Sequence, residues 1–537
     1  MIRINQIRLR LGYTQEEAGR AIIKKARLKE GQLLSWDILK ESIDARKSRD
    51  GEVFCSLSVC ARISGEEKFL RRNRSRDIQH YEPKIYRFPY QNKKNLEHRP
   101  VVIGTGPAGL FCALMLARAG FCPLVLERGC DVRKRLEIVH SFWEGGRLDP
   151  QTNVQFGEGG AGTFSDGKLN TLVKDPSGLH RRVLEEFVHA GAPGDILYKY
   201  KPHLGTDALT GIVENMRREI ISLGGQVEFE SCVTGFNLDS QGHIASVTVN
   251  DSFQTDARYV ILAVGHSARD TYGALYQLGM QMEPKSFAIG VRIEHPQDMV
   301  DKAQYGAAAQ KLPPADYKLT YRAGDGRSVY TFCMCPGGWV VDSSSEENGL
   351  VVNGMSYKGR DSQTANSAVI VSVRPQDFEG EDPLAGVRFQ RKWERLAWQE
   401  GRGSVPVQLL GDFKKGQISA AFGEVIPRHK GKISFGNIRN CLPDYVCRDL
   451  VEGIDGFSRR LADFNREDAV LSGVETRTSS PLRMLRGKDL QSNIKGIFPC
   501  GEGAGYAGGI TSAAMDGIRA AQAAAEYILR DTGQIGE

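Results

Sequence analysis

The sequence predicts an α/β protein: a parallel sheet flanked by helices, split by an inserted, mostly antiparallel α+β domain and preceded by a small α+β domain. Three observations predict it. A short apolar run at 101–103 leads into Gly104-Thr105-Gly106-Pro107-Ala108-Gly109, an alanine-rich helical run, and a second apolar strand that ends at Glu127. The pattern returns near the C-terminus, where an apolar run precedes Gly501-Glu502-Gly503-Ala504-Gly505-Tyr506-Ala507-Gly508-Gly509-Ile510 and a helical run over 511–529. Between them, residues 285–440 change character, with alternating runs at 287–293, 318–322, 328–334 and 368–373 separated by turn residues, the mark of antiparallel strands.

With 537 residues the chain is too long for one core, and several domains are expected. Residues 1–95 read as a basic α+β unit. A strand at 2–11 precedes a helix opened by Thr14, with Glu17 in capping-box spacing, and strands follow near 38–45 and 53–63. The stretch 81–98, rich in Pro, Tyr, Asn and Lys, reads as a linker. The dinucleotide-binding, Rossmann-like domain is expected over 96–284 and again over 476–537, with the inserted substrate domain over 285–475. Helices are expected at 133–142, 206–223 and 458–464, and strands at 226–230, 244–249 and 259–264.

Charge is uneven. The first 99 residues hold 23 Lys and Arg against 13 Asp and Glu, whereas the remaining chain holds 48 against 52. Such asymmetry can mark a nucleic-acid-binding arm, but no zinc spacing or RNA-reading aromatic motif accompanies it, and nucleic acid is not expected as a partner. The eleven cysteines are scattered without a CxxC pair, which fits reduced intracellular thiols. Cys55 and Cys60 have the spacing of flavin disulfide reductases, but they lie upstream of the dinucleotide glycines and read as packed thiols. No apolar run approaches a membrane span and no signal core opens the chain, so a cytoplasmic location is expected.

The first glycine turn carries the phosphate chemistry. Gly104 makes the tight turn, Gly106 lets backbone approach a pyrophosphate, and Gly109 lets the helix pack on the strand. Pro107 and Ala108 open the helix, whose free N–H groups and dipole face the phosphates. Glu127 lies 18 residues past Gly109, in place to accept the ribose hydroxyls, and Arg128 follows it. A second stretch, Gly157-Glu158-Gly159-Gly160-Ala161-Gly162-Thr163-Phe164-Ser165-Asp166-Gly167-Lys168, matches the same letters without the strand and helix, so it reads as a loop against a bound cofactor. An apolar strand closing on Gly265 returns the chain to the sheet. The final strand, ending in Gly501-Glu502 and followed by Gly508-Gly509-Ile510 and a helix, makes the dinucleotide FAD.

Several of these motifs together resemble a known group. Residues 157–169, Gly265-His266-Ser267-Ala268-Arg269-Asp270, Cys333-Met334-Cys335-Pro336-Gly337-Gly338 and 501–510 are similar to the uncharacterised FAD-dependent dehydrogenases of bacteria, often labelled NAD(FAD)-utilising dehydrogenases. The resemblance covers almost the whole chain. It implies a glutathione-reductase-type FAD domain, more distantly similar to the geranylgeranyl reductase, fumarate reductase and aromatic hydroxylase flavoproteins. It also implies that the loop through Gly160, Gly162, Ser165, Asp166, Gly167 and Lys168 lies beside the isoalloxazine ring.

The candidate chemistry follows from that placement. Ser165 offers a hydroxyl, Asp166 a carboxylate and Lys168 an ammonium suited to an anionic reduced flavin. Arg292 and Glu294 alternate on one strand face, as a carboxylate-binding pair or a structural ion pair. Cys333 and Cys335 read as two thiols on one strand face, His266 and Arg269 as neighbours of the cofactor edge, and the segment from Arg477 to Arg483 as a substrate or flavin contact or a structural loop. The expected activity is an FAD-dependent oxidoreductase on an unsaturated or carboxylated small molecule, with NADH or NADPH as a transient reductant. An RNA-associated flavoprotein and a flavin-binding sensor are the alternatives.

Overall fold

A computed structural model describes residues 1–45, 53–171 and 173–536. The N-terminal unit runs β1 (Ile2–Arg10), α1 (Gln15–Ala26), β2 (Leu33–Asp44), β3 (Phe54–Ile63), α2 (Glu66–Arg72) and β4 (Ile78–His80). Its antiparallel sheet has the order β2-β3-β1-β4, the split βαβ arrangement. Ile2, Ile4, Leu57 and Val59 pack against Ala18 and Ile22 of α1, so alternation on the strands meets the apolar stripe of the helix. The expected capping box is present: Thr14 Oγ1 accepts from the Glu17 amide and Glu17 accepts from the Thr14 amide.

This unit is tied to the rest of the chain. On β2 the Glu41 amide donates to the Tyr198 carbonyl at 2.8 Å, and the Tyr200 amide donates back to Glu41 at 2.7 Å. Residues 81–100 form no regular element but are not a free tether. Tyr86, Phe88 and Tyr90 lie against the main core, and the Tyr86 hydroxyl reaches Gln522.

The central sheet begins at β5 (Val101–Ile103) and continues through α3 (Pro107–Arg118), β6 (Leu124–Leu126), α4 (Val132–Trp143), α5 (Leu179–His189), α6 (Gly205–Ser222) and β7 (Gln226–Glu228). A three-stranded antiparallel sheet follows: β8 (Val233–Leu238), β9 (Ile244–Val249) and β10 (Phe253–Asp256). The chain then re-enters through β11 (Val260–Leu262) and leaves by α7 (Arg269–Gln277) and β12 (Met282–Pro284). Val102, Val125 and Ile261 face a core with α3, α5 and α6, while Val101, Ile103 and Leu262 face the three-stranded sheet. Period-two alternation thus builds two cores, one on each face.

The inserted domain comprises β13 (Phe287–Pro296), α8 (Gln297–Tyr305), β14 (Thr320–Arg322), β15 (Ser328–Cys335), β16 (Trp339–Asp342), β17 (Val352–Met355), β18 (Thr364–Val373), α9 (Ala385–Glu400), β19 (Val405–Leu409), α10 (Leu410–Lys415), β20 (His429–Lys430), β21 (Ile433–Phe435), α11 (Asp444–Phe457) and β22 (Val470–Glu475). Its seven-stranded sheet has the order β14-β15-β18-β13-β22-β19-β21 and is antiparallel except for the β19–β21 edge pair. The helix expected at 458–464 is absent. That stretch is turns, and the helix lies just before it, as α11, with Val446, Leu450, Ile454 and Phe457 on its buried face. After β23 (Leu482–Met484), β24 (Ile497–Pro499) and α12 (Ile510–Asp531) complete a parallel sheet of order β24-β11-β5-β6-β7. Among the described residues no helix is long and apolar enough to cross a membrane, and no three His, Cys, Asp or Glu side chains form a metal-binding group.

Candidate functional site

Open α/β sheets bind ligands beyond the carboxyl ends of their strands. Here β5, β11 and β24 end side by side, at Gly104, Gly265 and Gly501. Gly104 takes φ +100°, where a Cβ would lie 2.5 Å from the Ala263 carbonyl oxygen. A Cβ on Gly109 would lie 1.9 Å from the Gly104 oxygen, so α3 can leave the strand this closely only with glycine there. Gly106 is the N-cap of α3 and Pro107 its first residue, and the first-turn N–H groups point out of the helix without intrahelical acceptors.

Glu127 is buried and bridges two turns. It accepts from the Thr105 amide (2.8 Å) and hydroxyl (2.6 Å), and from the amides of Gly129 (3.0 Å) and Gly157 (3.1 Å). A carboxylate offers about four acceptor positions, so ribose hydroxyls would share an acceptor that already organises the protein. Arg128 lies over the Phe156 ring and donates to Asp270.

The glycine loop at 157–162 is shaped by a residue that the sequence reading passed over. Arg135 is fully buried, and its guanidinium donates to the carbonyls of Asn153, Val154, Gly157, Glu158 and Gly160. Burial lowers its pKa to about 10. The available signal was an arginine on the apolar stripe Val132, Arg135, Val139, Trp143 of α4. Replacing Arg135 with Met is expected to remove one donor from each of five carbonyls, and the check is loss of both thermal stability and bound flavin. Retention of both would remove this role.

The loop brings the predicted glycines together. A Cβ on Gly160 would come within 3.0 Å of Gly106 Cα, and one on Gly162 within 3.1 Å of Ile510 and 3.7 Å of Pro107. The N-termini of α3 and α12 therefore meet one loop. Gly508 and Gly509 lie exposed just ahead of α12. The Gly501 amide donates to Asp516, and Glu502 lies 3.2 Å from Nδ1 of His266. The opposite ring nitrogen of His266 is buried without a partner among the described residues. Two helix N-termini, a cradle with no Cβ atoms and an orphaned polar atom fit an extended dinucleotide such as FAD.

Beyond that cradle the loop turns toward the inserted sheet. Ser165 braces its own turn, donating to Gly162 O at 2.7 Å and accepting from Gly167 N at 3.0 Å. Asp166 is buried, hydrogen-bonded by the Ser356 hydroxyl and paired with Arg360 at 2.6 Å. Lys168 donates to the Met334 carbonyl and lies 3.6 Å from Asp166. Its backbone pairs with His203. Burial and the nearby Arg360 cation lower the His203 pKa to about 4.

Two expectations are corrected at this sheet. Arg292 reaches no cleft: it is fully buried and held by Glu475 (2.6 and 3.1 Å) and Asn366 (2.6 Å). Glu294 instead accepts from the Arg428 amide and faces His429. The sheet interior can hold that guanidinium only with a carboxylate supplied by the adjacent strand. Cys333 and Cys335 do not share a face, because β15 slips register between Phe332 and Cys335. The irregularity turns Cys333 outward at φ +42° and buries Cys335. Desolvation by the surrounding protein still pushes the Cys333 thiol up to about 12, so it stays protonated. All eleven cysteines are free thiols.

A buried charge network joins the domains. Glu394 of α9 accepts from Arg269 of α7 at 2.7 and 2.8 Å and from Arg477 beyond β22 at 2.7 and 3.0 Å. Arg269 also pairs with Glu346. Arg477 donates to Ser267, which donates in turn to Gln155 of the loop. His266 and Arg269 thus have different fates, one facing Glu502 and the other spent on domain packing.

Residues 286–478 match the family described as FAD-dependent protein, C-terminal domain-like, and residues 1–60 match a domain of unknown function. A Clostridium beijerinckii protein, named only as uncharacterized, is 48% identical over 529 residues, covering 97% of this chain and 98% of its own length. Among solved structures, the flavin-dependent brominase Bmp2 in a triple-mutant form shows 11% identity, 81% coverage of both chains and a TM-score of 0.37. An E. coli quinol fumarate reductase mutant shows 12% identity, 82% and 71% coverage and a TM-score of 0.35. No functional conclusion follows from likenesses that distant.

Proposed function

The chain belongs to the same family as that Clostridium beijerinckii protein, and from this premise we propose that it is an FAD-dependent oxidoreductase acting on a small molecule, with NADH or NADPH as a transient reductant. The observation that carries the reading is the meeting of Gly106, Gly160 and Gly162 with the N-termini of α3 and α12. The match of the inserted domain to FAD-dependent proteins supports it.

When bound, FAD supplies the hydride or electron transfer, and the protein supplies position and electrostatics. The first turn of α3 would hold the pyrophosphate through backbone N–H groups. The N-terminus of α12 would favour negative charge on the reduced ring, by roughly 0.3–2 kcal/mol depending on burial. His266 and Glu502 would bind polar groups between those two ends. Lys168 would bring a cation to the ring side of the loop, and Ser165 would keep the loop in shape. The buried Arg292–Glu475 pair would stiffen the sheet behind the cleft.

Anaerobic mixing of the purified yellow protein with NADH and with NADPH tests this. Loss of the oxidised flavin absorbance with one of them is expected. Persistence of the yellow colour with both would sink the nicotinamide-dependent part.

A further inference from the structure

Three segments converge at the mouth of the loop: 165–168, the ribbon 201–207 that pairs with it, and 355–360 after β17. The Leu169 amide donates to Pro202 at 2.9 Å and the Leu204 amide to Gly167 at 3.1 Å. Thr206 donates through its amide to Ser356 and through its hydroxyl to Ser165. We infer that His203, Arg360 and Lys168 form an oxyanion subsite that binds the carboxylate of the substrate. The inference rests on the FAD reading only for placing the ring beside this loop.

The charge count at the convergence supports it. Among the described residues Asp166 is the acid that pairs with both cations. Arg360 spends Nε and Nη2 on it at 3.2 and 2.6 Å, leaving Nη1 outside the pair. Lys168 spends one donor on Met334 O and stands 3.6 Å from Asp166, outside hydrogen-bond range. Both cations keep solvent-facing surface, with side chains 28% (Lys168) and 14% (Arg360) exposed, while Asp166 is only 4% exposed. Donor capacity therefore exceeds acceptor capacity at this convergence.

His203 supplies the second observation. Its Nδ1 is shielded from solvent and has no partner among the described residues. Arg360 and Lys168 disfavour its protonation, while Asp166 and Asp207 favour it. Asp207 lies exposed in the first turn of α6, where it accepts from the Lys358 amide at 2.9 Å. Once a ligand displaces the atoms that cover Nδ1, a neutral imidazole carrying its proton there would donate to a carboxylate oxygen, completing with Arg360 and Lys168 a set of charge-assisted bonds. The exposed, protonated Cys333 thiol beside Lys168 lines the approach. The site replaces Arg292 as the carboxylate receptor, since Arg292 is occupied by Glu475.

Calorimetric titration of the flavin-loaded, full-length protein with benzoate, and separately with inorganic phosphate, tests the inference. Saturable benzoate binding is expected, weakened about tenfold or more in His203→Leu and in Arg360→Lys, because each loses a directed hydrogen bond to the anion. Lys302→Ala, on the exposed face of α8, should leave it unchanged. Tighter binding of phosphate with the same losses would keep the site and make the ligand a phosphate ester. Equal affinity in wild type and both variants, or no saturable binding of either probe, would overturn it. If His203→Leu does not fold, Arg360→Lys, which keeps a cation beside Asp166, decides alone. Flavin absorbance recorded on the same samples separates failure of the subsite from failure of the FAD reading: a yellow protein with unaltered benzoate binding loses only the subsite.

Discussion

Gly106→Val is expected to purify folded and colourless. Gly106 has φ −66° and ψ 179°, a backbone conformation open to any residue. The nearest heavy atom to an added Cβ is Gly160 Cα at 3.9 Å, ordinary van der Waals contact. The polypeptide can therefore accept the side chain, and what it cannot accept is a pyrophosphate in the same place. A loss of FAD affinity of about 100-fold, near 2.7 kcal/mol, is the expected scale. Circular dichroism and the melting curve should match wild type, while the ratio of flavin to protein absorbance collapses. Gly109→Val is a poor substitute, because its Cβ meets the Gly104 carbonyl oxygen at 1.9 Å and the fold itself would yield. A fully yellow Gly106→Val protein would move the dinucleotide site elsewhere.

Glu394→Gln is expected to cost about 3–5 kcal/mol, the usual consequence of removing one member of a buried ion pair. Burial alone would raise the Glu394 pKa, but Arg269 and Arg477 overcome it and hold the carboxyl well below its ordinary value of 4.5. The variant leaves two buried guanidiniums facing a neutral amide. For a domain of this size the melting temperature should fall on the order of 10 °C. The sign with pH follows from the depressed carboxyl. Its contribution is fully present above the unfolded value near 4.5 and is lost as pH falls below it toward the folded pKa. The gap between wild type and variant should therefore be wide at neutral pH and narrow in acid. A gap that is constant down to pH 3 (about 1.5 units below the ordinary carboxyl value) would show that the Glu394 carboxyl is not depressed in the folded protein.

The dinucleotide half of the fold was legible because its determinants are local. A strand, a glycine turn and a helix start within ten residues leave a pattern in the letters, and both copies of that pattern end on one parallel sheet, with β11 between them. The glycine loop was legible as a loop for the same reason. What escaped the reading is set by partners distant in sequence. Arg292 looked available until Glu475, 183 residues away, occupied it. Alternation placed Cys333 and Cys335 on one face, but a slip in register against β18 separated them. Helix α9 sits in a segment read as mostly antiparallel sheet; its apolar stripe, Ala385, Phe389, Trp393 and Ala397, was passed over, and its buried Gln390 and Glu394 take their meaning from distant partners. His203 carried no motif, and its environment exists only because three separate segments meet.

The seam between β2 and Tyr198–Tyr200 gives the N-terminal unit mechanical reach. Glu41 grips that ribbon by two backbone hydrogen bonds, and at Pro202, His203 and Leu204, just past Tyr200, the same ribbon is laced to the Lys168 loop. Strand pairing fixes position in steps, so a slip of two residues would carry His203 about 7 Å along the ribbon. The N-terminal unit and the Lys168 loop thus hold one short stretch of chain from its two ends, so the backbone that carries His203 is tied to both.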